Sequence, residues 1–94
     1  MTYERKINSD KKEILLKVIG EVIKEQRIKQ NKGILLFGYE YDISNSSIML
    51  LEKGKRDVQI STLWKLANAF GMSFSEFIEL VETRLPKGFK LIDD

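Results

Sequence analysis

The stretch that decides the fold is DISNSSIMLLEKGKRD, residues 42–57. Ser44 suits an N-cap, because a serine hydroxyl accepts a hydrogen bond from a backbone N–H of the first helical turn. Ile48 and Leu51 give the helix that follows an inward face, and Gly54 is suited to end it after about eight residues. The stretch therefore predicts a very short helix between the turn Asp42-Ile43-Ser44 and a basic loop.

The segment before this turn, ILLFGYEY at residues 34–41, fits two kinds of structure. Its β-branched and aromatic content and its length suit a strand. As a helix it has one face made of Ile34, Phe37, Gly38 and Tyr41. We predict a helix, because the rest of the chain offers no second strand candidate to pair with it. Two helices joined by a turn of about three residues form a helix-turn-helix unit.

The N-terminal third predicts one long helix that ends near Lys29. Its apolar residues recur at steps of one, three and four, as on one face of a helix: Ile14, Leu15, Val18, Ile19, Val22 and Ile23. Ser9 or Asp10 is placed to cap its start. We expect Gly33 to adopt the positive φ that ends many helices.

The C-terminal half predicts two more short helices. We expect Ser61 to cap the first, Gly71 to end it, and the capping box Ser73 to Glu76 to begin the second. The apolar face of the first is Leu63, Leu66, Ala67 and Phe70, and that of the second is Phe77, Ile78, Leu80 and Val81. The chain thus predicts an all-α bundle of five helices.

The predicted organisation is one helix-turn-helix domain at residues 10–85 between two tails. Residues 1–9 have no periodicity and are expected to form a flexible N-terminal tail. Residues 86–94 follow the stop at Pro86 and form a C-terminal tail, whose apolar residues either fold back or meet a second subunit. We expect Trp64 to pack in the core, with a share in a dimer interface as the open alternative.

The composition excludes several classes of function. The 94 residues, 43% hydrophobic and 32% charged, suit one soluble globular domain. With neither cysteine nor histidine there is no thiolate nucleophile, histidine base or zinc site of those ligands, and we expect no enzyme and no cofactor. No apolar run is long enough to span a membrane, so the cytoplasm is the expected compartment.

Over roughly residues 19–81 the chain resembles the λ-repressor/Cro-like (XRE) helix-turn-helix family. The resemblance rests on the turn Ile43-Ser44, the basic motif Glu52-Lys53-Gly54-Lys55-Arg56, and the segment LWKLANAFGM at residues 63–72. It implies the five-helix λ-repressor-like bundle, double-stranded DNA as the partner, and a homodimer.

The resemblance also implies site residues. Those facing base edges would be Asn45, Ser46 and Leu50. Those near phosphates would be Ser47, Lys53, Lys55 and Arg56. Taken alone, the first set contains good helix-start residues beside the Ser44 cap, and the second is compatible with a solvated loop. Arg27 and Glu52 would form an internal salt bridge, and the alternative for Arg27 is a DNA contact.

Several apolar residues depart from the family pattern. Ile34 stands where a polar residue is frequent at the start of helix 2, and Leu35 and Leu36 follow it. Met49 and Leu50 stand in the recognition helix, where polar or charged residues are usual. Ile48 and Leu51 already form the inward face, so Met49 and Leu50 cannot both be buried in the monomer, whereas one of Leu35 and Leu36 can be interior. Thymine contacts, a protein partner and a subunit interface all remain open as explanations.

Two functions are therefore predicted from the sequence. The first is a sequence-specific transcriptional regulator, a repressor, that reads the major groove with helix 3 as a homodimer. The second is a protein-interaction module of the antitoxin or anti-repressor type, which would use Leu35, Met49 and Leu50 of the apolar helix 2 and 3 surface.

Overall fold

The computed structural model describes residues 5–93, and this range folds into five α-helices and one isolated antiparallel bridge. The helices are α1 (Ser9–Lys29), α2 (Ile34–Tyr41), α3 (Asn45–Glu52), α4 (Ile60–Ala69) and α5 (Phe74–Thr83). The predicted all-α, five-helix architecture is confirmed, and residues 34–41 form a helix rather than a strand.

The turn between α2 and α3 depends on two residues. Asp42 has a φ of 53°, in the left-handed region that aspartate tolerates better than most side chains. Gly38 is buried where α2 meets the turn, and a Cβ at this position would lie 2.4 Å from the carbonyl oxygen of Ile43. The backbone of the turn therefore approaches α2 more closely than any side chain allows.

Several predicted helix ends are confirmed. Ser44 caps α3 by accepting a hydrogen bond from the N–H of Ser47, and Ser73 and Glu76 form the complete capping box of α5. Gly54 and Gly71 have φ values of 70° and 75°, as expected for glycines that end helices.

The predicted end of α1 near Lys29 is confirmed, but two predicted residues at its ends are wrong. Asn8, not Ser9 or Asp10, is the N-cap, because its side-chain oxygen accepts hydrogen bonds from the N–H groups of Asp10 and Lys11. Asn31, not Gly33, has the left-handed φ, at 57°. Asparagine tolerates that region well, so the glycine is left to precede α2 in an extended conformation.

The predicted cap of α4 is also wrong. The helix begins at Ile60, its N-cap is Gln59, and the glutamine side chain makes no capping hydrogen bond. Ser61 lies inside the first turn. The helix therefore begins two residues earlier than a cap at Ser61 would place it.

The core lies between all five helices. Its fully enclosed large side chains are Val22, Ile23, Phe37, Ile48, Leu66 and Phe77. Gly20 lets α1 and α3 approach, since a Cβ there would lie 2.4 Å from the carbonyl oxygen of Leu51 and 2.6 Å from that of Glu52. The predicted core position of Trp64 is wrong in part: its ring stacks on Phe74 at 4.5 Å but is half exposed.

The two chain ends meet beside the start of α1. The N–H of Asn8 donates to the carbonyl oxygen of Leu91 at 2.7 Å, and Ile7 pairs with Ile92. The apolar residues of the C-terminal segment are half-buried, so the segment folds back onto its own chain. Residues 1–4 of the predicted N-terminal tail lie outside the described residues.

Candidate nucleic-acid interface

Helix α3 presents one side to solvent. Ile48 and Leu51 are buried against the core, whereas Asn45, Ser46 and Lys53 are exposed. The Ser44 cap accepts a hydrogen bond from the Ser47 N–H and so stabilises the first turn of α3. The result is a short helix with its first turn and its outer face accessible to a partner.

The residues predicted to read bases are not equally accessible. The side chain of Asn45 is directed toward α2, since its Oδ1 would lie 3.1 Å from a Cβ added at Gly38. Ser46 is exposed. Leu50 is half-buried, whereas Met49 is 44% exposed. Met49, which was not among the predicted base-reading residues, is thus the more accessible apolar side chain of the pair.

The residues predicted to face phosphates are partly brought together. Arg56 donates through Nη1 to the hydroxyl of Ser47 at 2.8 Å, and Ser44 donates to the same oxygen at 2.7 Å. This network ties the basic loop to the first turn of α3. Lys53 and Lys55 lie exposed just after α3, without a hydrogen bond between them and that network.

Arg56 also lines a shallow cavity of about 350 Å³ between α3 and α4. Lys65 lies on its α4 side and donates to the carbonyl oxygen of Asp42 at 3.4 Å. Three hydroxyl residues (Ser44, Ser47 and Thr62) and two acidic residues (Asp42 and Asp57) also line the cavity, so the two cations share the space with two carboxylates. Sequence reasoning missed Lys65, although its position three residues after Thr62 places it on the polar side of α4.

Arg27 and Glu52 form a buried, two-point ion pair between α1 and the end of α3. Arg27 donates through Nε to Oε2 at 2.7 Å and through Nη2 to Oε1 at 2.9 Å. Its Nη1 donates to the carbonyl oxygen of Lys32 at 2.7 Å. The hydrogen bond to Glu52 raises the pKa of Arg27 despite the opposing effect of burial, so the guanidinium stays charged. The pair holds α3 in place from inside the protein.

Three exposed residues of α2 form what we call the α2 apolar patch: Leu35, Leu36 and Tyr39. Leu35 is 74% and Tyr39 87% exposed, and Leu36 is half exposed. The expectation that one of the two leucines is interior is therefore wrong. Tyr39 was not predicted as part of this surface, although its spacing of four residues from Leu35 puts the two on one helix face.

Other kinds of site are not seen in residues 5–93. This part of the chain has no cluster of three or more acidic, histidine or cysteine side chains able to hold a metal ion. None of its helices is long and apolar enough to cross a membrane.

Known structures share this fold at low sequence identity. The clp gene regulator ClgR from Corynebacterium glutamicum has a TM-score of 0.68 and 16% identity, over 78% of this chain and 95% of that one. The restriction-modification controller protein C.AhdI from Aeromonas hydrophila has a TM-score of 0.60 and 23% identity, over 68% and 96%. A mutant of the controller C.Esp1396I has a TM-score of 0.68 and 22% identity, over 79% and 94%.

No curated protein matches the chain significantly. A helix-turn-helix family model matches residues 23–77, which include α2, the turn and α3 and amount to more than half of the chain. This protein therefore belongs to the XRE-type helix-turn-helix family, as the resemblance predicted.

Proposed function

We propose that this protein is a homodimeric repressor that binds double-stranded DNA sequence-specifically and reads the major groove with α3. Family membership supports the general part of this function, a DNA-binding transcriptional regulator. The observation that carries the specific part is the junction at the start of α3. There the exposed Asn45 and Ser46 directly precede Ser47, whose hydroxyl accepts a hydrogen bond from Arg56 at 2.8 Å.

This junction has the two parts that DNA recognition needs. Asparagine can form two hydrogen bonds with the N6 and N7 atoms of adenine, and serine can pair with either base type. Arg56, with Lys53 and Lys55, would contact phosphates on the strand beside the groove, and phosphate contacts fix the register of the reading helix. Lys65 would extend this phosphate-facing surface from α3 to α4, across the cavity it shares with Arg56.

A second apolar surface supports the homodimer. Ile60 is 68% exposed, and the half-exposed Trp64 follows it by four residues on α4. Two such surfaces facing each other across a two-fold axis would cover both side chains. Two recognition helices would then meet half-sites about 34 Å, or one helical turn of DNA, apart. A dimer in this position would block a promoter, and its place is in the cytoplasm with the DNA.

The proteins with similar folds support the regulatory part. ClgR is a clp gene regulator, and C.AhdI is a restriction-modification controller. Family and fold are thus those of regulators and not of enzymes.

The test is a binding selection with purified protein and a library of duplexes randomised over about two helical turns. We expect enrichment of a two-fold symmetric site, and an Asn45→Ala variant that no longer prefers one base pair in each half-site. A matched control is Asn68→Ala, which changes an exposed asparagine of α4. A folded protein that enriches no sequence at low salt would refute the proposal.

The α2 apolar patch supports a second candidate, a protein-interaction module on the same fold. Two exposed leucines and a tyrosine form an apolar surface that the charged DNA backbone does not match, whereas an apolar surface of a protein partner would. This candidate predicts a protein partner whose binding is lost in Leu35→Lys and retained in Asn45→Ala. The DNA-binding function predicts that Asn45→Ala is the more harmful of the two changes, so the pair of variants separates the candidates.

A further inference from the structure

We infer that Met49 and Leu50 are specificity-determining residues that read the 5-methyl groups of thymines, so that the ligand is an A·T-containing major groove at these positions. The inference rests on the proposed function and adds the base class that the helix selects. Its basis is the distribution of polar and apolar groups over the exposed side of α3.

Polar reading capacity on α3 is small. The hydroxyl of Ser47 already accepts hydrogen bonds from Arg56 and Ser44, at 2.8 and 2.7 Å. The hydroxyl of Ser46 lies 3.4 Å from that of Ser44, which leaves it at most a weak internal bond. Asn45 is then the one side chain of the first turn that can form a bidentate contact with a base.

The apolar side chains flank the outermost line of the helix. At about 100° per residue, Ser46 and Lys53 lie opposite the inward face formed by Ile48 and Leu51. Met49 and Leu50 lie on either side of that line, each within about 50° of it. Base pairs to either side of this line would therefore meet a methionine or a leucine side chain.

The major groove offers one apolar group to such side chains. Thymine alone carries a methyl group there, whereas a G·C pair presents two acceptors and one donor and has no methyl group. A G·C edge covered by Met49 would lose water without gaining a partner, which is unfavourable. A thymine methyl would instead exchange water for apolar contact. Attraction to thymine and rejection of G·C thus have the same physical origin.

The experiment uses the duplex recovered by the binding selection and a copy in which single thymines are replaced by deoxyuridine. This replacement removes one methyl group and leaves the hydrogen-bonding pattern of the pair unchanged. We expect one thymine per half-site whose replacement weakens binding about fourfold, the factor for one apolar carbon removed from water. Met49→Ala or Leu50→Ala should bind the two duplexes equally well. Ile28→Ala, at an exposed apolar residue of α1, is the control and should keep the discrimination.

The outcomes are distinct. Specific binding to the selected duplex with no thymine sensitive to replacement, or discrimination that persists in both Met49→Ala and Leu50→Ala, would overturn the inference and leave the proposed function standing. A selected site with only G·C pairs opposite α3 would do the same. No selected site at all would overturn the proposed function and this inference with it. Circular dichroism of each variant separates lost reading from lost folding.

Discussion

Removing Arg27 should destabilise the protein far more than its single charge suggests. Arg27 is 7% exposed, and its guanidinium makes two hydrogen bonds to Glu52 and a third to the Lys32 carbonyl oxygen. In Arg27→Ala the carboxylate of Glu52 stays in a buried position without its partner, and the Lys32 carbonyl loses its donor. Both groups were already removed from water on folding, so neither can recover its hydration cheaply.

The expected cost is about 3 to 5 kcal/mol, the range for a buried ion pair that loses one partner. A domain of this size has a free energy of unfolding of roughly 5 to 15 kcal/mol, so the loss is a large part of the total. Arg27→Lys should be intermediate, because an ammonium group cannot match both carboxylate oxygens. The double variant Arg27→Met/Glu52→Leu should recover most of the loss, since no buried charge is left unpaired.

The assay is urea unfolding followed by circular dichroism at the helical band, with Lys24→Ala as the control at an exposed position of α1. The two single variants and the double variant together give the coupling energy of the pair. A cost below about 1 kcal/mol for Arg27→Ala, as for an exposed ion pair, would refute the reasoning. Strictly additive effects of the two single changes would refute it as well.

Three further outcomes are expected. Gly20→Ala should lower the free energy of unfolding in urea by about 1 to 3 kcal/mol, because the added Cβ would lie 2.4 Å from the Leu51 carbonyl oxygen. The control Gly33→Ala, whose Cβ would have nothing within 4 Å, should cost less, and equal costs would contradict the close approach of α1 and α3. Hydrogen bonds from Ser73 lower the pKa of Glu76 below its ordinary 4.5, so the charged carboxylate stabilises the fold above pH 4.5, and this contribution is lost as the pH falls through the folded-state pKa. Glu76→Gln should therefore lower Tm at pH 7 but not at strongly acidic pH. A Tm difference that does not change with pH would count against this role of Glu76. Arg56→Ala should reduce the salt slope of DNA binding by about 2 per dimer, one per phosphate contact in each subunit, while Lys87→Ala should not; an unchanged slope would remove Arg56 from the interface.

The helices of this protein could be predicted because their signals are local. The apolar spacing of α1, the Ser44 cap and the Ser73 to Glu76 box each specify structure within a few residues. The choice of helix over strand for residues 34–41 needed only the absence of a pairing strand. Glycine signals were useful for the same reason at Gly54 and Gly71, whose φ values are positive.

Most of what sequence reasoning missed depends on packing between residues that are far apart in the chain. One miss is local: Asn31, not Gly33, has the left-handed φ, and Gly33 is instead the N-cap of α2, which begins at Ile34. Trp64 and Ile60 are exposed because the core is already filled by Leu63, Leu66 and Ala67 of the same helix. Periodicity alone cannot tell which of several apolar residues the core has room for.

In the candidate site, too, local sequence signals predicted some features, whereas others depend on packing between helices. Family spacing predicts that Arg56 and Ser47 lie near phosphates. Their 2.8 Å hydrogen bond to each other and the cavity shared with Lys65 depend instead on the packing of α3 against α4. The greater exposure of Met49 than of Leu50 also follows from packing, because both lie at similar angles from the buried side of α3.

The most direct test of DNA recognition by the α3 surface is fluorescence anisotropy at a series of salt concentrations. It would compare a duplex from the region upstream of the protein's own gene with a scrambled duplex of the same composition. We expect tighter binding to the upstream duplex, and a log-log salt slope of about −5 if Lys53, Lys55 and Arg56 of both subunits each neutralise one phosphate. Equal affinity for the two duplexes together with a slope near zero, from protein that is folded, would contradict the account.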